Sequence, residues 1–95
     1  MPKPLNANDI TTHLKKLNGW ELSGDQIVKS FKFKDFHQTM AFVNAVAWIA
    51  HQTNHHPDME VGYNKTTLHY TTHDAGGLTK ADFECAGQVE ALGTI

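Results

Sequence analysis

The chain has 95 residues, with 8 Lys and Arg against 10 Asp and Glu, so its formal net charge is −2. This length supports one domain over residues 1–95, and the charge provides no basic field, so we expect no direct nucleic-acid binding. The longest apolar run, residues 45–50, is too short for a membrane span, and residues 1–7 look like a loose lead without a signal-peptide core. We therefore expect a cytoplasmic protein with no membrane attachment.

The first third of the chain predicts a helix followed by a β-hairpin. Asn8 is suited to cap a helix whose apolar residues recur at the spacing of one face as far as Leu17. A Gly-Asp turn at residues 24–25 then separates two short runs, 20–23 and 27–33, and the second run alternates apolar with polar side chains. This pattern is typical of a two-stranded hairpin.

A long second helix is predicted from Phe36 to about Thr53, with Asp35 as its N-cap. The helix carries two apolar stripes, so its apolar arc is wider than one contact requires. The first stripe contains Phe36, Met40, Val43, Ala47 and Ala50, and the second contains Phe42, Val46 and Ile49. We expect one stripe to cover the sheet and the second to contact another subunit in a homodimer or homotetramer.

The last third predicts a second hairpin and a final helix. Apolar side chains alternate in residues 59–63 and again in residues 67–71, so Tyr63 is interpreted as a core strand residue. Thr79 is suited to cap a helix that reaches about residue 92, and Asp82 lies at its third position. The only cysteine, Cys85, lies within this helix and is interpreted as a packing residue of a protein from a reducing compartment.

The order α-β-β-α-β-β-α predicts the fold class. Two hairpins can form a four-stranded antiparallel sheet, and three helices on one face can cover its apolar side. We therefore expect one α+β domain.

Histidines supply the chemical signal, because 7 of them occur in 95 residues and four lie where the long helix ends or directly after the last strand. These four are His51, His55 and His56 at the end of the long helix and His73 after the last strand. Pro57 disfavours helical geometry at His56, so the two adjacent imidazoles should point in different directions. Histidine titrates near neutral pH, and such a cluster can therefore hold both an acid and a base.

Two other interpretations of the cluster remain open. A histidine-rich turn is often a solvated polar loop, and His51 with His55 has the four-residue spacing of some zinc sites. Gln52 stands where the HExxH zinc motif has Glu, and no Cys or carboxylate cluster completes a shell, so we expect no metal. The remaining histidines, His13, His37 and His69, are interpreted as structural or solvent-facing.

The spacing His51-x3-His55-His56-Pro57-x5-Tyr63-x9-His73-x8-Asp82 resembles the signature of the pterin-4a-carbinolamine dehydratases. Flanking matches are Gly19-Trp20, Phe33-Lys34-Asp35-Phe36, Tyr63-Asn64-Lys65, Thr72-His73 and Gly77-Leu78-Thr79, and the similarity extends from about residue 14 to about residue 89. The resemblance implies four antiparallel strands, three helices and assembly into dimers or tetramers. It also implies a pterin substrate beside the His-His-Pro turn, with no metal and no separate cofactor.

Residue roles follow from the same resemblance. His55, His56 and His73 match the three active-site histidines of the family. The positions that match substrate-binding or orienting residues are Asp82, Pro57 of the His-His-Pro turn and Trp20, an aromatic residue close to the site. His51 departs from the family, in which many members carry Glu, and we expect it to orient His55 from one helical turn away.

The implied activity is the removal of water from 4a-hydroxytetrahydropterin to give quinonoid dihydropterin, which recycles the cofactor of aromatic amino acid hydroxylases. Such a hydroxylase is then a candidate partner. The alternative is a protein-binding module, since the animal members of the family also act as a dimerisation cofactor of a homeodomain transcription factor. The stripe of Phe42, Val46 and Ile49 would be the surface available for that role.

Overall fold

The computed structural model describes residues 3–93 and confirms the predicted order of elements. The helices are α1 (Ala7–Leu14), α2 (Phe36–Thr53) and α3 (Lys80–Glu90), and the strands are β1 (Glu21–Ser23), β2 (Gln26–Lys32), β3 (Asp58–Val61) and β4 (Lys65–Tyr70). A 3-10 turn, His73–Ala75, lies between β4 and α3. No helix in the described part of the chain is both long and apolar enough to cross a membrane.

The four strands form one antiparallel sheet in the order β1-β2-β4-β3. Each hairpin pairs within itself, and β2 joins the two hairpins by pairing with β4, where Ile27 lies opposite Tyr70. Both of these residues are fully buried together with Leu68, so this face of the sheet forms the core. The opposite face is polar, as shown by the 2.8 Å hydrogen bond between the hydroxyls of Ser30 and Thr67.

Helix α2 begins and ends as its sequence predicts. The Asp35 carboxylate accepts a 2.9 Å hydrogen bond from the Gln38 backbone N–H, which confirms Asp35 as the N-cap. The helix ends at Asn54, whose φ of 54° is left-handed, a conformation that asparagine tolerates better than most residues. The chain leaves the helix there and turns into β3.

The prediction for the two stripes of α2 was wrong. The stripe assigned to a partner subunit, Phe42, Val46 and Ile49, is buried in the core of this domain. The Phe42 ring lies 4.6 Å from the Phe31 ring and 5.0 Å from the Phe33 ring, so it packs on side chains of the first hairpin. The exposed side of α2 instead carries Phe36 and Trp48.

The N-terminal region is more ordered than the sequence predicted. The cap of α1 is Asn6 rather than Asn8, because the Asn6 side chain accepts a 2.9 Å hydrogen bond from Asp9 N–H. The Leu5 backbone N–H donates to Leu78 O at 2.7 Å, which anchors the chain before the helix. The prediction of a loose lead over residues 1–7 is therefore wrong from residue 5 onward. Residues 1–2 lie outside the part of the chain that the structure describes.

Tyr63 is also placed differently from its prediction. Strand β3 ends at Val61, because Gly62 N–H donates to Lys65 O at 2.8 Å and closes the turn. Tyr63 is thus a turn residue with 65% of its surface exposed, and its ring stacks on Phe36 at a centroid distance of 6.4 Å. The alternation of apolar and polar residues continues to Tyr63, but the pairing of β3 with β4 ends at Val61.

The three histidines outside the cluster have separate environments. His13 stacks on Phe83 of α3 at a centroid distance of 5.0 Å, and His37 is exposed near the start of α2. His69 lies on the polar face of the sheet, where its ring nitrogens meet Gln26 and Glu60.

Candidate active site

Two segments bring the predicted catalytic histidines to one cleft. The turn after α2 carries His55 and His56, and the 3-10 turn after β4 carries His73. Between them lies a cleft of about 190 Å³, lined by Asn54, His55, His56, Thr71, Thr72, His73 and Asp74. His56 and His73 are exposed, whereas the His55 side chain keeps only 17% of its surface accessible. The cleft therefore presents two accessible imidazoles and one that the protein holds.

Asp82 is the residue that holds His55. Its side chain is completely buried, and its Oδ1 lies 2.6 Å from His55 Nε2. A buried carboxylate is costly unless it is paired and hydrogen-bonded, and here both conditions are met. Asp82 thus reaches the histidine cluster from α3, although the two residues are 27 positions apart.

The second carboxylate oxygen of Asp82 accepts two hydrogen bonds from residues that precede α3. Thr72 donates its hydroxyl to Asp82 Oδ2 at 2.8 Å, and the Thr79 backbone N–H donates to the same oxygen at 2.9 Å. Thr79 and Asp82 also form the capping box of α3, in which the Asp82 carboxylate accepts from the Thr79 backbone N–H and the Asp82 backbone N–H donates to Thr79 O at 3.1 Å. One residue therefore serves both as a helix cap and as the partner of His55.

The ring of His55 rests on the aromatic core. It stacks on Tyr70 with a centroid distance of 6.0 Å and an interplanar angle of 19°. The Tyr70 hydroxyl is buried without a hydrogen-bond partner among the described residues, and burial raises the pKa of Tyr70 far above its ordinary value. Tyr70 thus provides an uncharged, apolar support beneath His55.

Trp20, His51 and Pro57 are not among the residues that line the cleft. Trp20 is a core residue that packs on Tyr70 at 5.9 Å, so it lies behind the residue that supports His55. His51 is exposed, its ring lies 5.5 Å from that of Trp48, and within residues 3–93 no hydrogen bond joins it to His55. Pro57 is buried directly before β3.

Sequence reasoning did not identify Thr72 as a site residue. The Thr79-x-x-Asp82 capping box is readable from sequence, but it predicts only a helix N-terminus. The contact of Thr72 with Asp82 depends on how the loop after β4 returns to α3, and this loop is closed by the pairing of Thr72 with Gly77. Within residues 3–93, no group of three His, Cys, Asp or Glu side chains has an arrangement suited to a metal ion.

The cleft has imidazoles on two sides and a buried carboxylate that binds one of them, an arrangement of the kind that general acid–base catalysis requires. The fold and this site define the class as a small α+β protein with a histidine cluster beside an antiparallel sheet. The family model for pterin 4 alpha carbinolamine dehydratase matches residues 3–92. The chain therefore belongs to this family.

Individual relatives agree with this assignment. The chain is 53% identical over 89 residues to a protein of Nitrosospira multiformis that is provisionally named pterin-4-alpha-carbinolamine dehydratase, covering 94% of this chain and 79% of the relative. A protein of Chromobacterium violaceum with the same provisional name is 52% identical, with 94% and 82% covered. The crystal structure of a transcriptional coactivator/pterin dehydratase from Brucella melitensis superposes with a TM-score of 0.90 at 32% identity, covering 95% of this chain and 98% of that one.

Proposed function

We propose that this chain removes water from 4a-hydroxytetrahydropterin by histidine acid–base catalysis, without a metal or other cofactor. The observation that carries the proposal is the cleft shared by His55, His56 and His73, with His55 held by the buried Asp82. Membership of the dehydratase family supports the choice of substrate. We further propose a cytoplasmic location and an aromatic amino acid hydroxylase as the source of the substrate.

The reaction requires two coordinated proton transfers and no change in oxidation state. A base takes the proton from the ring nitrogen next to the hydroxylated carbon, and the electrons of that N–H bond form the carbon–nitrogen double bond. The carbon–oxygen bond breaks as an acid protonates the leaving hydroxyl, which departs as water. We assign these two transfers to His56 and His73, the accessible imidazoles of the cleft, and we assign to His55 the holding of the pterin ring.

The test is the rate of dehydration of chemically generated 4a-hydroxytetrahydropterin, followed by ultraviolet absorbance and compared with the uncatalysed rate. His56→Ala and His73→Ala should each lower the catalysed rate by about 10²-fold or more, as expected for loss of a general acid or base. The matched control is His37→Ala, which removes an exposed imidazole at the opposite end of α2 and should leave the rate unchanged. Both cleft variants retaining activity within a few-fold of the parent would rule out the assignment.

Chelation separates this mechanism from a metal-dependent one. Exhaustive treatment with EDTA should leave the rate unchanged, whereas loss of activity that zinc restores would contradict the proposal.

His51→Ala should lower the dehydration rate clearly less than His56→Ala does, because His51 is not a cleft-lining residue. Equal losses would make His51 a proton-transfer residue.

We also propose self-association through the exposed side of α2, in place of the buried stripe. Trp48 has 61% of its surface exposed and Phe36 has 49%, so this side of the helix leaves aromatic surface in contact with water. Trp48→Glu should weaken a dimer or tetramer in sedimentation velocity, with Gln88→Glu, an exposed position on α3, as the charge control. A parent protein that sediments as a monomer at micromolar concentration would exclude this assembly.

A second candidate function is protein binding. The Brucella melitensis structure is named both as a coactivator and as a dehydratase, and the same exposed side of α2 offers an apolar contact surface here. A dehydration rate no higher than the uncatalysed one, together with a folded protein, would favour this alternative.

A further inference from the structure

Thr72 occupies an unusual position between the cleft and the buried carboxylate. Its hydroxyl oxygen lies 2.8 Å from Asp82 Oδ2 and also 2.8 Å from the Thr79 hydroxyl oxygen. The next residue in the chain is His73, and Asp82 itself binds His55. Thr72 therefore contacts Asp82, which holds His55, and it also lies directly before His73 in the chain.

The directions of these hydrogen bonds follow from what each group is able to donate. An ionised carboxylate only accepts, so the single hydroxyl hydrogen of Thr72 must point to Asp82 Oδ2. The Thr79 hydroxyl must then donate to Thr72, and the Thr79 backbone N–H donates to the same Asp82 Oδ2. The result is a closed ring of hydrogen bonds through Asp82, Thr79 and Thr72, in which each bond polarises the next.

This ring has a consequence at His55. Asp82 Oδ2 accepts from two donors, and Oδ1 lies against His55 Nε2, so an ionised carboxylate takes the hydrogen of this contact from His55. His55 is then held with its hydrogen on Nε2, so Nδ1 is the ring nitrogen that is free to accept a proton or a ligand hydrogen bond. Without the Thr72 hydroxyl, only the Thr79 N–H remains on Oδ2, so the carboxylate is free to turn and Oδ1 no longer faces His55 Nε2 at all times.

We propose that Thr72 is a positioning residue that fixes the tautomer of His55 through Asp82. Its effect on catalysis rests on the proposed dehydratase function, whereas its effect on the tautomer does not. The clean perturbation is Thr72→Val, which keeps the branched shape and removes the hydroxyl, with Thr72→Ser to restore the hydroxyl. Thr67→Val is the control, since its hydroxyl bonds Ser30 on the opposite face of the sheet.

The first measurement needs no substrate. Long-range ¹H–¹⁵N NMR of the imidazoles distinguishes a hydrogen on Nε2 from one on Nδ1. The parent, Thr72→Ser and Thr67→Val proteins should show His55 with its hydrogen on Nε2 at the alkaline end of the titration, whereas Thr72→Val should show a mixture of the two forms. An unchanged tautomer in Thr72→Val would overturn the proposal. If the valine variant does not fold, Thr72→Ala is measured in the same way and decides the question.

The second measurement is the dehydration rate as a function of substrate concentration, which gives kcat and KM separately. Thr72→Val should lower kcat by about ten-fold with KM within about three-fold, as expected when one hydrogen bond to a charged group is lost. Thr72→Ser should restore kcat to the parental value. A parent with no dehydration activity would refute the proposed function while leaving the NMR test intact. A Thr72→Val protein with the kcat and KM of the parent would refute the positioning role.

Discussion

Replacing Asp82 by Asn removes a buried charge while preserving the size of the side chain. The carboxylate of Asp82 is completely buried and accepts three hydrogen bonds, at 2.6 Å from His55, 2.8 Å from Thr72 and 2.9 Å from Thr79. An Asn amide can keep its oxygen toward the Thr72 and Thr79 donors, but these bonds become neutral ones. Hydrogen bonds to charged groups contribute about 1.5–3 kcal/mol and neutral ones about 0.5–1.5 kcal/mol, so each of the two bonds weakens by about 1 kcal/mol.

The third contact, to His55, changes in kind. The amide NH₂ would face His55 Nε2, which must then present its lone pair and carry its hydrogen on Nδ1. The sum is a loss of about 2 kcal/mol in the free energy of unfolding, if His55 adapts in this way. For a domain of this length, such a loss lowers Tm by about 8–16 °C.

The assay is urea unfolding at pH 7, followed by tryptophan fluorescence and checked by calorimetry. The matched control is Asp74→Asn, which removes an exposed carboxylate from the same loop and should change the free energy of unfolding by less than about 0.5 kcal/mol. If Asp82→Asn unfolds within 0.5 kcal/mol of the parent, the buried carboxylate does not contribute as its contacts indicate. This result would also weaken the assignment of Asp82 as the residue that holds His55.

Three further outcomes follow from the core. Burial raises the pKa of Tyr70, so the unfolded chain ionises first, and this residue should lower stability by about 1.4 kcal/mol per pH unit above about pH 10. Tyr70→Phe should make the slope shallower by that amount, as measured by urea unfolding in a Tyr63→Phe background, and an unchanged slope would contradict the burial of the phenol. Burial also raises the pKa of the Cys85 thiol and shields it from reagents. Iodoacetamide at pH 8 should therefore alkylate the native protein at least about 100-fold more slowly than the urea-unfolded protein. Equal alkylation rates would contradict the buried position of Cys85. Val46→Glu should abolish cooperative unfolding, because Val46 is 0% exposed in the core, and a folded Val46→Glu protein would refute the packing of α2.

Much of the fold was predictable because its signals are local. A cap such as Asp35 acts on a backbone N–H three residues away, and the alternation of Phe31 and Phe33 marks a strand within a few positions. The histidine cluster was equally visible, since His55 and His56 are adjacent and Pro57 disfavours helical geometry at His56. These features depend on neighbours in the chain and need no knowledge of the packing.

Only the tertiary structure decided which residues meet across the chain. The two stripes of α2 are both apolar, and the choice between them depends on Phe31 and Phe33, whose rings pack on Phe42 from another element. The His55–Asp82 contact spans 27 positions, and the support of Asp82 by Thr72 requires the loop after β4 to fold back onto α3. Periodicity specifies which side chains share a face of one element, but the partner of that face is selected by burial and hydrogen-bond satisfaction over the whole domain.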